Sequence, residues 1–137
     1  MRRKELEHLV LQMENYLECW KQFSHFINLA RAKTFSGEDE TQFLEVKSML
    51  TQQLEMLLSL PVFDGGDATR EEIHGLIGAA PSLRFLSEQN ENVLRSVENQ
   101  WHKVFMTWQS LLGQLKVKQR ELEGQGFFSS LFGRKKS

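Results

Sequence analysis

Residues 93–115 read VLRSVENQWHKVFMTWQSLLGQL. Together with Leu86, the apolar positions Val93/Leu94, Val97, Trp101, Val104/Phe105, Trp108, Leu111/Leu112 and Leu115 recur at steps of three and four, a spacing that only an α-helix gathers onto one stripe. Pro81 and Ser82 are placed to start this helix, and Lys116 to Glu123 extend it as a polar end.

The same period runs through residues 2–33, where Leu6, Leu9/Val10, Met13, Tyr16/Leu17, Trp20, Phe23, Ile27 and Ala30 form a stripe. Leu11, Phe26 and Leu29 fall outside it, so burial on more than one side is expected for the later half. Ser36 is a cap candidate for a second helix, with Glu38, Asp39 and Glu40 in the first turn, where the helix dipole favours negative charge. Phe43, Val46, Leu50, Leu54 and Leu57 continue that helix until Pro61 stops it. Pro61 to Asp67 reads as a connector. Its Asp64-Gly65-Gly66-Asp67 cluster is turn chemistry, since two aspartates fall short of the roughly 6 to 8 oxygens of a calcium site. Thr69 and Glu72 form a capping box ahead of Ile73, Leu76 and Ile77, a short helix ending near Ala79-Ala80-Pro81.

At about 1.5 Å per residue the three long helices span roughly 48, 34 and more than 50 Å. The sequence therefore predicts an all-α fold: an antiparallel up-down-up bundle of three long helices plus one short helix over residues 1–123, followed by a flexible amphipathic tail, 124–137. No strand pair with a hairpin turn and no repeat accompanies these helices.

With 137 residues, 40% of them hydrophobic and 26% charged, the chain is long enough for one domain with a real core. Cys19 is the single cysteine and forms no intramolecular disulfide. No signal-peptide pattern precedes it, and no apolar run approaches the roughly 20 residues that span a bilayer. A cytoplasmic location is expected, with the inner face of a membrane as the alternative.

The formal net charge of −1 conceals segregation. Arg2, Arg3 and Lys4 give one end +3 and residues 116–137 give the other +4, which leaves residues 5–115 with 8 basic and 16 acidic side chains, a net of −8. An acidic body argues against a nucleic-acid partner, because duplex affinity comes from neutralising phosphates. Arg2, Arg3 and Lys4 read as solubilising charges.

Chemistry is sparse. His8, His25, His74 and His102 share no metal-ligand spacing with one another or with Cys19, although His25 and His102 lie on the two long helices and could face each other. Cys19 has no basic neighbour closer than Lys21 to activate it. The phosphate-binding glycine loops and the nucleophile elbow are missing as well. The stripe of Trp101, Phe105 and Trp108 is what a bundle core requires. No catalytic residue, cofactor, metal or small-molecule substrate is expected.

The C-terminal segment stands apart. After a break at Gly124-Gln125-Gly126 come Phe127, Phe128, Leu131 and Phe132, then Arg134, Lys135 and Lys136. In helical form the four apolar residues share an arc of about 140°. Such an exposed segment calls for a receiver. The receivers in order are a partner-protein groove, an anionic membrane to which each cation adds about 1 kcal/mol, and the bundle itself. Gln125, Phe128, Leu131 and Phe132 also resemble, over eight residues and with Leu131 in place of the first aromatic, the short peptide by which many proteins dock on sliding DNA clamps. That resemblance implies a clamp groove as one form of protein receiver. The expectation from sequence is thus a non-enzymatic scaffold or adaptor that docks a partner protein through this peptide. The alternatives are a peripheral membrane protein using the same residues and a small helical enzyme with no legible motif.

Overall fold

The computed structural model describes residues 2–60, 63 and 67–133, the side chains of Asp67 and of residues 127–133 excepted. Among the described residues there are five helices and no strand, so the all-α bundle expected from periodicity is the fold. Helix α1 (Arg3–Ala32) is its hub, packed against three other helices. Its stripe of Leu6, Met13, Tyr16, Trp20, Phe23 and Ala30 is fully buried. Off that stripe, Phe26 is also buried and Leu29 partly so, which gives the later half its second covered side, whereas Leu11 is 59% exposed. The helix ends at Lys33, whose left-handed backbone (φ 58°) lets its N–H and that of Thr34 reach the carbonyls of Ala30 and Leu29.

Helix α2 (Gly37–Leu58) starts as expected at Ser36, whose hydroxyl accepts from the Asp39 N–H at 3.1 Å while the Asp39 carboxylate accepts from the Ser36 N–H at 2.9 Å. It runs antiparallel to α1. The Tyr16 hydroxyl donates to the Leu50 carbonyl at 3.1 Å, and further along the rings of Phe23 and Phe26 pack on Phe43.

The return leg differs from expectation. Two short helices occupy it in place of one, α3 (Asp67–Ala79) and α4 (Leu83–Ser87). Helix α3 begins before Thr69, so the Thr69–Glu72 pair lies inside its first turns rather than at its cap. Ser82 caps α4, accepting from the Phe85 N–H at 3.0 Å, and does not start the last helix. Glu40 of α2 reaches across to accept from the Leu83 and Arg84 N–H groups, and Lys47 Nζ donates to the Pro81 carbonyl. Those bonds turn the chain inward, and Leu83 and Leu86 close one end of the core against α1.

Helix α5 (Glu91–Gly133) begins only after this detour, with the Asn90 side chain accepting from the Val93 N–H at 3.0 Å. Arg31, at the end of α1, pairs with Glu91 and Glu98 at the start of α5, while Lys116 pairs with Glu14 at 3.7 Å nearer the other end. Thus α5 is antiparallel to α1 and parallel to α2. The path is up-down-up-down, with the third leg divided between α3 and α4, and not the expected up-down-up. The physical reason is that a helix of 13 residues, about 20 Å long, cannot return the chain along α2 without a second piece.

The core centres on Tyr16, Trp20 and Trp108, with Tyr16 edge-on to both indoles. Each such side chain contributes about 1.5–3 kcal/mol by burial. The indole nitrogens of Trp20 and Trp108 find no hydrogen-bond acceptor among the described residues, which offsets part of that gain by leaving a buried donor unmet.

Candidate functional site

His8, His25, His74 and His102 all lie on the surface, and among the described residues no three of His, Cys, Asp and Glu come together as a metal site. His25 sits beside Phe26 and His102 beside Trp101, each on its own helix. Cys19 is buried, and burial pushes its thiol pKa up, with Glu18 adding to the effect; a nucleophile needs the opposite shift. Asp64 to Gly66 of the acidic connector lie outside the described residues. Trp108 is core as expected, while Trp101 and Phe105 stack on each other at its edge, 4.8 Å between centroids.

Two of the surface clefts are shallow seams between helices. One of about 180 Å³ between α1 and α2 is lined by Gln12, Asn15, Gln53, Met56 and Leu57. Another of about 460 Å³ runs between Glu7, Leu11 and Glu14 of α1 and Lys116 and Arg120 of α5. Neither brings together a nucleophile, a base and an oxyanion donor, the minimum for acyl-transfer chemistry.

Helix α5 continues through Gly124, Gln125 and Gly126 to Gly133, so no break separates bundle from tail. A helix tolerates these glycines at roughly 1 kcal/mol each. Near its end α5 still lies on α1: Leu122 packs against the core, and a Cβ at Gly126 would sit 3.9 Å from Arg3 Nη1. There α1 starts. The seven residues after Gly126 carry the α5 backbone about 10 Å further.

Register decides which side of that overhang is which. Taking the position of Gly126 as facing α1 and advancing about 100° per residue, positions 130 and 133 return to within about 40° of the α1-facing line. Positions 127, 128, 131 and 132 fall between about 100° and 240°, on the opposite side. These are the positions of the apolar arc expected from sequence, Phe127, Phe128, Leu131 and Phe132; their side chains, and all of Arg134, Lys135 and Lys136, lie outside what the structure describes.

The antiparallel pairing of α1 and α5 also brings Arg2, Arg3 and Lys4 to the last turns of α5 around Gly126. Arg2, Arg3 and Lys4 are exposed at the start of α1, beside the base of the overhang, and Lys118 and Arg120 are exposed on the last turns leading to it. More than 110 residues of sequence separate the two clusters, so their meeting had no local signal. No protein-family model, no curated protein and no solved structure matches this chain.

Among the described residues, no helix is long and apolar enough to cross a membrane.

Proposed function

We propose that this chain is a non-catalytic helical adaptor, with the bundle as carrier and the end of α5 as its docking element. Phe127, Phe128, Leu131 and Phe132 are the anchors, and Arg134, Lys135 and Lys136 steer the approach to an acidic surface, acting on encounter rate and salt sensitivity more than on final affinity. The reading includes a cytoplasmic location.

The observation that carries it is the unbroken register of α5. The α5 backbone stays helical past the start of α1, which supports an external receiver over the bundle itself.

A photo-reactive amino acid at position 131 of the full chain, activated in cells, tests this. Intermolecular adducts are expected, reduced about tenfold by Phe127→Asp with Phe132→Asp, in line with loss of anchor residues. Adducts confined to the chain's own α1, or adducts unaffected by the two substitutions, overturn the reading.

A further inference from the structure

We infer that the cleft between α1 and α2 is a docking site on the body of the bundle, separate from the α5 end, and that it takes a short uncharged peptide segment of a partner protein, anchored by one large apolar side chain. The lining of the cleft, its free hydrogen-bonding groups and its fixed walls point there.

The lining carries no charge. Gln12 and Asn15 of α1 face Gln53, Met56 and Leu57 of α2 around a space of about 180 Å³, in a chain of which 26% is charged. The cleft between α1 and α5 is by contrast walled by Glu7, Glu14, Lys116 and Arg120. A charged ligand entering the α1–α2 cleft would shed water and find no counter-ion, a cost that an uncharged one avoids. Apolar contact comes from Leu57, which is buried, and from Met56, which is 59% exposed. An apolar cavity of about 150 Å³ admits a benzene-sized group, so this cleft has room for one side chain the size of leucine or phenylalanine. The unbranched thioether of Met56 adapts its shape to either.

The three carboxamides of Gln12, Asn15 and Gln53 make no side-chain hydrogen bond to another described residue. Each offers a carbonyl acceptor and an N–H donor, the same pair that a peptide unit carries. Set around one apolar pocket, they match the main chain on either side of an anchored residue. Met49, seven residues before Met56 and so on nearly the same face of α2, is 43% exposed. It continues the apolar track by about 10 Å, roughly the length of three extended residues.

The walls are held together beside the cleft. The Tyr16 hydroxyl donates to the Leu50 carbonyl at 3.1 Å between the same two helices. Tyr16 directly follows Asn15, and Leu50 lies about one turn before Gln53. A cleft formed in advance loses little conformational freedom on binding.

A phage-displayed library of short random peptides, selected on the full chain and compared on its Gln12→Arg, Gln53→Arg double variant, reads this. Enriched peptides are expected to centre on one Leu, Met or Phe among uncharged residues, and the variant should retain them about tenfold less, because it sets charge against the anchor. A synthetic copy of an enriched peptide should shift the side-chain amide signals of Gln12, Asn15 and Gln53 and the methyl signal of Met56 in nuclear magnetic resonance spectra of the full chain. Circular dichroism of the variant, expected to match the parent, separates lost binding from lost folding. Equal retention by parent and variant, which binding to the α5 end would give, overturns the inference and leaves the adaptor reading standing. Shifts confined to other residues overturn it too, as do enriched peptides that are charged or lack an apolar anchor, and a selection that enriches nothing.

Discussion

The indole Nε1 of Trp101 donates to the main-chain carbonyl of Trp20 at 2.7 Å, a side chain of α5 bonded to backbone in the middle of α1. Between two smooth helices this bond sets axial register, because only one turn of α1 presents that carbonyl to that indole. Removing the donor by Trp101→Phe leaves the carbonyl its helical partner, so the expected cost is about 1 kcal/mol, the net worth of one hydrogen bond. A lowered urea midpoint with unchanged slope would show it; no change would mean that packing alone holds the register.

The other tie between these helices is Arg31, which bonds Glu98 and lies 3.5 Å from Glu91. Its Nε is buried with no hydrogen bond to a described residue. Loss of Glu98 should therefore strand a partly buried guanidinium, while Glu91, at 58% exposure, adds little. We expect Glu98→Ala to cost about 1 kcal/mol and Glu91→Ala clearly less, measured by denaturant unfolding of both. Equal effects would remove the distinction.

Tyr16 makes stability depend on alkaline pH. Burial holds its phenol pKa well above the ordinary value near 10. The unfolded chain therefore loses its proton first. Stability is at full strength below the ordinary phenol pKa and declines as pH rises from there toward the raised value. In Tyr16→Phe that decline should be smaller, the remainder coming from the buried Cys19 thiol, together with a loss of about 1 kcal/mol at neutral pH from the bond to Leu50. Parallel pH profiles for the two proteins would refute the assignment.

Cys19 should behave as a packing residue. Buried and held protonated by its surroundings, it should react with a thiol reagent about 100-fold or more slowly in the folded protein than in urea, at a rate set by opening of the bundle. Rapid labelling of the native chain would show an open path to α1.

Glycines along α5 test whether the helix is continuous in solution. A Cβ at Gly113 or Gly124 meets nothing within 4 Å, and at Gly126 it makes an ordinary contact. Gly113→Ala should stabilise by about 0.5–1 kcal/mol. Gly124→Ala with Gly126→Ala should increase helicity, read by circular dichroism. Unchanged or lower helicity would mean that the helix is interrupted there.

Helix existence was legible because it rests on local facts: the stripe in residues 93–115, the Ser36–Asp39 cap, and the halt before Pro61. Two local signals misled. The Thr69–Glu72 pair resembled a cap but lies within α3, and Gly124-Gln125-Gly126 resembled a break but is spanned by the α5 backbone. In both cases propensity, worth about 1 kcal/mol per position, yields to the continuity of a longer helix.

By itself the sequence determined that the chain is helical, which faces are apolar, and where charge is concentrated, since each follows from the period of neighbouring residues. Tertiary structure alone decided the direction of α5, the split of the return leg between α3 and α4, and the meeting of Arg2–Lys4 with the end of α5. Those depend on Arg31 finding Glu98, Glu40 finding the start of α4, and Trp101 finding Trp20. Such contacts join residues 43 to 81 positions apart in the chain, beyond the reach of any helical period.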